Sequence, residues 1–362
     1  MTKEKYLLTT KYIAKLLLSL QNGTETPVLP EDITLAELHF VSSKHSLSAA
    51  AYTALRDVIK TSDIPDEYKQ KWAREAEIAT VQHIRHTAAF AEVTNAFTAA
   101  AVPFLPIKGF LLKALWTKPE FRTMADMDIV VEGKCFDKAK DALLSLGYKL
   151  DHRGDVHDSF LKNGNINIEL HRILYTDATE TFSDWMPKQE NPYWYEMSYE
   201  DLFVFILRHA YKHYEAGGCG LRTVFDFYLL FDKYGRAENN SVLMEKIERA
   251  ELYPFYLIVT KLVDSWFLDK SAEDSYESEL FVATGGVYGT LDNHVSYSVN
   301  KRGKSGHFIN RLFPPVKVIY SRYKWTKKCP ILLPIGYLVR FVTAIFDRKT
   351  FREIESLRKL EK

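Results

Sequence analysis

Phe121-Arg122-Thr123-Met124-Ala125-Asp126-Met127-Asp128-Ile129-Val130-Val131 is the stretch that decides the fold. Its β-branched end predicts a strand over Met127 to Val131, and a strand sends alternate side chains to opposite faces. Asp126 and Asp128 therefore leave one face, while Met127, Ile129 and Val131 leave the other. Two carboxylates about 7 Å apart along a strand edge repel each other unless a cation sits between them. A Mg²⁺ ion bridging them to phosphate oxygens would remove that cost and serve as catalyst.

A second stretch, Asn165-Ile166-Asn167-Ile168-Glu169-Leu170-His171, alternates in the same way. Ile166, Ile168 and Leu170 face one side; Asn167, Glu169 and His171 face the other. It forms one arm of a hairpin with His157 to Lys162, because Asn163-Gly164-Asn165 is the strongest short-range turn signal in the chain. If this strand lies beside the Asp-Met-Asp strand, Glu169 joins the same patch, and three carboxylates on neighbouring strands suit two-metal phosphoryl chemistry. His171 follows Glu169 on the same face and is placed to orient it or to touch phosphate. Upstream, Pro106-Ile107-Lys108-Gly109-Phe110 reads as a strand entering a glycine turn at a helix start. Backbone N–H groups there favour phosphate oxygens, and Lys108 adds positive charge.

Outward from these motifs the texture is helical. The N-terminal MTKEKYLLTTKYIAKLLLSLQNG predicts an amphipathic helix, Leu35 to Ile59 keeps helical period, and a long helix follows from about Glu67 to Ala101. A helix over Phe136 to Leu146 is stopped by Gly147. Beyond Asp177 the chain is expected to return to helix over Glu200 to Tyr214, Leu221 to Tyr234 and Ser241 to Asp269. Ala283 to Gly306, rich in Gly, Ser, Asn and Thr, reads as a loop or small β excursion, with a last helical part from about Val316. The expected class is thus α+β. A mixed β-sheet unit over residues 101–176 is flanked by helical regions over 1–100 and 177–362.

Composition narrows the choices further. Net charge is +1 across 362 residues, so no global field attracts nucleic acid or anionic lipid. Cys135, Cys219 and Cys329 are far apart and form no CxxC pair, which argues against a zinc knuckle and fits a reducing cytoplasm. Ile331 to Phe346 is too short for a comfortable membrane span and carries Arg340 in its middle, so no integral span is expected.

The motifs in their order, Leu105-Pro106-Ile107-Lys108-Gly109, Pro119, Arg122, Asp126 to Val131, Gly147-Tyr148 and Ile168-Glu169-Leu170-His171, carry a resemblance. They resemble the uncharacterised bacterial nucleotidyltransferase family of the polymerase-β-like superfamily, whose members read "LKG", then "R…DiDllv", then "Gy" and "iELH". The runs LAELHFVSSKHSLSAAAYTAL and RHAYKH (Arg208 to His213) look like its helical flanks, so the resemblance covers about residues 35–235. It implies a minimal nucleotidyltransferase fold, with Mg²⁺ (Mn²⁺ as the alternative) on Asp126, Asp128 and Glu169 and a nucleoside triphosphate, ATP foremost, as donor. The implied acceptor is a small molecule or glycan precursor ahead of nucleic acid. Where the superfamily has Gly-Ser or Gly-Gly, this chain has Gly109-Phe110, and its gap from Gly109 to Asp126 is longer. Both departures shift phosphate binding towards Lys108 and Arg122. The alternative is a relative of the same fold that binds nucleotide or a partner protein without turnover.

Further residues are weighed on local context. His209 and His213, four apart on one helix, read as a half-buried pair in a helical core; the alternative sets Lys212 and His213 at the mouth of the cleft, touching nucleotide or acceptor. Arg222 and Asp226, also four apart, predict a helical ion pair, with acceptor binding as the alternative. His157 reads as a strand-surface residue. The basic segments Arg322 to Lys328 and Arg348 to Lys362 read as solvated helix faces, with contact to RNA or an anionic membrane the lesser alternative, since Glu353, Glu355 and Glu361 interleave the second.

Overall fold

A computed structural model describes the chain except residues 165, 176–183, 272–273, 346–351, 354 and 358–362. Asn165, the 176/177 boundary and most of the tail beyond Arg348 lie outside the described residues. The N-terminal part consists of α1 (Lys3–Asn22), α2 (Leu35–Lys44), α3 (Ser48–Ala54), α4 (Arg56–Thr61) and α5 (Asp66–Ala99). α2 opens on a capping box in which Thr34 and Glu37 satisfy each other's backbone N–H groups. The one helix expected over Leu35 to Ile59 is three, because Ser46 turns into positive φ and Leu55 leaves helical geometry.

The α+β expectation holds. β1 (Phe104–Pro106), α6 (Gly109–Lys113), β2 (Asp126–Val131), α7 (Phe136–Ser145), β3 (Lys149–Arg153), β4 (His157–Lys162) and β5 (Ile166–His171) follow in order. Asn163 and Gly164 at the β4–β5 tip both take positive φ, which is why those residue types stand there. The stretch expected to be helical beyond Asp177 also forms two strands, β6 (Met186–Lys188) and β7 (Asn191–Glu196). The aromatic run Tyr193-Trp194-Tyr195 was their signal, and Trp194 packs against Phe90 and Phe104. The mixed sheet has the order β3-β4-β5-β2-β1-β7-β6. Its apolar face, with Met127, Ile129, Ile168 and Leu170, is covered by the C-terminal half of α5 and by α7.

α8 (Tyr199–Glu215), α9 (Gly220–Tyr234), α10 (Ser241–Arg249), α11 (Tyr253–Phe267) and α12 (Tyr276–Gly285) join α1 to α3 in a second apolar core. The single helix expected over Ser241 to Asp269 is broken before Pro254, since Glu251 adopts positive φ. The expected loop from Ala283 to Gly306 is also corrected: it contains the end of α12 and most of α13 (Leu291–Leu312), capped by Thr290. Its glycines serve close backbone approach. A Cβ on Gly217 would lie 2.4 Å from the Thr290 carbonyl oxygen, and one on Gly285 would lie 2.7 Å from the Gly217 oxygen. The chain then continues through α14 (Val316–Arg322), α15 (Lys324–Lys328), a 3-10 turn at Pro330–Leu332 and α16 (Leu333–Ile345). Among the described residues no helix is long and apolar enough to cross a membrane.

His45 ties the two helical groups together. Its Nδ1 accepts from the Leu221 N–H at 2.9 Å and its Nε2 donates to the Ala283 carbonyl at 3.1 Å, so the neutral imidazole satisfies both neighbours. Burial pushes this imidazole down to about 4. Because the folded value lies below the unfolded one, the unfolded chain takes up a proton first, and stability is lost as pH falls from about 6.5 to about 4. The expected loss reaches about 3 kcal/mol, measured as denaturant midpoints across that window. In His45→Gln this component of the pH dependence should vanish; its persistence would place the titration elsewhere.

Candidate functional site

β2 carries the site because its polar residues fall on the face opposite the α5–α7 layer. β5 runs parallel beside it, in a register that sets Asp126 against Asn167, Asp128 against Glu169 and Val130 against His171. The third carboxylate is therefore the direct cross-strand neighbour of the second. β4 lies on the far side of β5 and pairs His157 with His171, their rings 4.8 Å apart.

Contacts within the cluster are short. The Lys108 ammonium donates to Asp128 Oδ1 at 2.5 Å, and the same oxygen lies 2.9 Å from His171 Nε2. His171 Nε2 is also 3.6 Å from Glu169 Oε2, and His157 Nε2 is 3.5 Å from Glu169 Oε1. Lys108 holds this position with φ 54°, ψ −117°, a conformation that costs a non-glycine residue of order 1–3 kcal/mol. The strained corner is thus Lys108, where the sequence pointed to Gly109. Gly109 instead starts α6, and a Cβ there would come within 3.3 Å of the Arg122 guanidinium. Phe110, at the position where a hydroxyl was looked for, stacks on Phe90 with centroids 3.6 Å apart.

Electrostatics follow from this crowding. Burial, then the negative charges of Asp128 and Glu169, push the Asp126 carboxyl up to about 6. Burial alone would raise Asp128 too, but the His171 hydrogen bond and the Lys108 ammonium outweigh it and hold Asp128 well below the usual carboxylate range. Burial opposes protonation of His171, yet its bonds to Asp128 and Glu169 raise it above an ordinary histidine. His157, by contrast, is lowered by burial more than Glu169 raises it. Asp126 thus resists ionisation because it is buried and faces two other carboxylates, which Lys108 only partly offsets.

Three carboxylates are hard oxygen donors that suit Mg²⁺ or Mn²⁺. His157, Glu169 and His171 offer one ligand atom each within 4.8 Å of one another, a mixed nitrogen and oxygen set compatible with Mn²⁺ and softer divalent ions. The residues therefore fit a divalent cation. His157 was missed as a site residue because its place depends on hairpin register, which counting back from the Asn163-Gly164 turn would have supplied.

Arg122 requires a correction. It was expected on phosphate, but its Nε and Nη2 each donate at 2.8 Å to the two oxygens of Asp226, and the pair is buried. Its charge is already matched, so Arg122 anchors the segment entering β2 on α9. Asp226 is accordingly not the helical partner of Arg222; it also accepts from Trp116 Nε1 at 2.9 Å. Arg222 donates instead to the Thr123 carbonyl at 2.6 Å, while its Nε is buried without a partner. Burial, then Arg122, lowers its guanidinium to about 10, against the opposing pull of Asp226, Tyr288 and Asp126. It is a second cation at the entrance to β2.

His209 and His213 lie on one face of α8 with Nε2 atoms 3.1 Å apart. Burial and then the nearby Lys108 push His209 down to about 3, and burial with Lys212 and Lys108 lowers His213, so the pair is neutral. Lys212 is exposed. The structure thus gathers Lys108, Asp126, Asp128, Glu169 and His171 in one cluster. It brings the His209–His213 face within electrostatic reach of Lys108, and leaves Arg122 out.

A family model described as an uncharacterised nucleotidyltransferase matches residues 32–268. No curated protein matches the chain. Among solved structures, the solution structure of the antibiotic-resistance factor ANT(2″)-Ia is similar at 13% identity and a TM-score of 0.35, covering 44% of this chain and 89% of that one.

Proposed function

This chain belongs to the uncharacterised nucleotidyltransferase family, and from that premise we propose a metal-dependent transfer of a nucleotidyl group from a nucleoside triphosphate, ATP foremost, to a hydroxyl acceptor in the cytoplasm. The observation that carries it is the β2–β5 register, which sets Glu169 beside Asp128 and gathers three carboxylates on one sheet face. Asp126 and Asp128 would hold the divalent ions, with Glu169 completing one site and helping to activate the acceptor hydroxyl. When bound, Mg²⁺ or Mn²⁺ supplies neutralisation of the triphosphate and a lowered pKa for that hydroxyl.

The chain's own residues account for the rest. Lys108, held at its strained corner, presents an ammonium beside the carboxylates, and the Gly109 N–H follows it. Arg222 takes the phosphate role once expected of Arg122, since its Nε has no partner and Asp226 is already engaged. His171 bridges Asp128 and Glu169 and keeps both oriented. The neutral His209–His213 pair and exposed Lys212 shape the side from which nucleotide or acceptor enters. In the transfer a bond forms between the acceptor oxygen and the α-phosphorus, and the bond to the departing diphosphate breaks in line.

The test uses triphosphates labelled at the α- or the γ-phosphate, with Mg²⁺ or Mn²⁺ and a small-molecule extract. Label from the α position should enter product while γ-label leaves as diphosphate; γ-label alone in the product would make this a kinase and refute the reading. A second reading, nucleotide or partner binding without turnover, draws on the Lys108 and His171 bonds that already occupy Asp128 Oδ1. Calorimetry separates the two: absence of Mg²⁺–ATP binding would favour the scaffold.

A further inference from the structure

Charge along this chain is unevenly placed. Residues 293–346 contain ten Lys or Arg and no Asp or Glu, so this segment's +10 leaves the remainder of a +1 chain at −9. The same segment forms α14, α15 and α16. α16 packs inward through Gly336, where a Cβ would come within 2.8 Å of Thr326 and 3.0 Å of Ile319, both fully buried. Tyr337 and Arg340 also point inward, donating to the carbonyls of Pro314 at 2.8 Å and Arg311 at 3.3 Å. The opposite side of the helix carries Ile335, Leu338, Val339 and Val342, spaced i, i+3, i+4 and i+7. Leu338 is 63% exposed, and Ile331 in the preceding turn is 87% exposed. Adjoining α14 and α15 expose Lys317, Lys324, Lys327 and Lys328, with Trp325 partly exposed among them.

We propose that this C-terminal face is a peripheral docking surface for an anionic lipid bilayer. An exposed aliphatic stripe, with exposed lysines and a tryptophan on the helices it packs against, matches the interface between acyl chains and acidic headgroups. The helix is too short to cross, so it would lie in the interfacial plane. Charge decides against the other occupants. Two copies of the face would set the exposed lysines of α14 and α15 against one another. A nucleic acid would meet the lysines but would leave four exposed aliphatic side chains without a partner. The absence of acidic residues is local and is therefore invisible in the overall net charge.

The experiment is vesicle flotation of the full-length chain. It should float with phosphatidylglycerol–phosphatidylcholine vesicles at low salt, bind pure phosphatidylcholine at least about tenfold more weakly, and be released as salt rises. Lys324→Ala with Lys327→Ala and Lys328→Ala should weaken binding roughly a hundredfold. Leu338→Asp with Val342→Asp should abolish it, while unfolding temperature stays unchanged in both variants because the altered side chains are exposed. Equal affinity for neutral and anionic vesicles, or none for either, would overturn the proposal. So would single-stranded RNA binding that the Leu338→Asp variant retains, or a dimer that this variant dissolves, each of which assigns the face to a different occupant.

Discussion

Asp128→Asn is expected to lower nucleotidyl transfer by about a thousandfold or more, corresponding to at least about 4 kcal/mol of transition-state stabilisation, while leaving the fold intact. The reason lies in what surrounds the carboxylate. Asp128 is buried, lies across from Glu169, and is two residues from Asp126. The amide keeps the size of the acid and one acceptor oxygen for Lys108 and His171, but removes the charge that a divalent cation needs. Two effects oppose each other in stability: the Lys108 ammonium and His171 lose a charged acceptor, while repulsion from Asp126 and Glu169 is relieved. The Asp126 carboxyl, pushed up to about 6 by burial and then by Asp128, should fall towards its ordinary value. Steady-state assays, denaturant midpoints and carboxyl titration by NMR together check this. Full activity in Asp128→Asn would show that the chemistry lies elsewhere. Lost activity accompanied by a lost fold would make Asp128 a structural anchor.

The largest effect on stability is expected at Asp226. In Asp226→Ala the buried Arg122 guanidinium loses both of its 2.8 Å bonds, and Trp116 Nε1 loses its acceptor. An uncompensated buried charge costs about 3–5 kcal/mol, to be read from guanidinium unfolding at neutral pH. Asp226→Asn should recover only part of this, since the amide still accepts from Trp116 but cannot neutralise Arg122. Pairing Asp226→Leu with Arg122→Met should restore most of the stability, because neither charge is then left buried alone. A loss under about 1 kcal/mol for the single substitution would show that water reaches the pair and screens it. Arg122 leads directly into β2, so the destabilised variants should also show weakened metal binding through loss of the Asp126–Asp128 orientation.

The candidate site was legible where local geometry sufficed. Alternation along β2 places Asp126 and Asp128 on one face whatever the rest of the chain does, and the Asn163-Gly164 turn fixes an antiparallel β4–β5 pair. Other features depend on partners distant in sequence. Asp226 could have paired with Arg222 one turn away; it pairs with Arg122, 104 residues upstream, because burial favours the bidentate fork over a pair along the helix. His157 looked like a surface residue until β5 brought His171 and Glu169 against it. β6 and β7 lie at the sheet edge beside β1, where Trp194 finds Phe104, and no short-range rule specifies that pairing.

The sequence by itself determined the faces: which residues of β2 and β5 could carry chemistry, which would be buried, and that the class was α+β. It did so because strand alternation and turn chemistry act over a few residues and survive any tertiary arrangement. Only the tertiary structure decided neighbours. The parallel register of β2 and β5 set Glu169 beside Asp128, and Asp226 engaged the Arg122 guanidinium. The packing of α16 through Gly336 turned an apolar stripe outward. Charge and burial are properties of surroundings, and those surroundings are assembled from segments more than 40 residues apart.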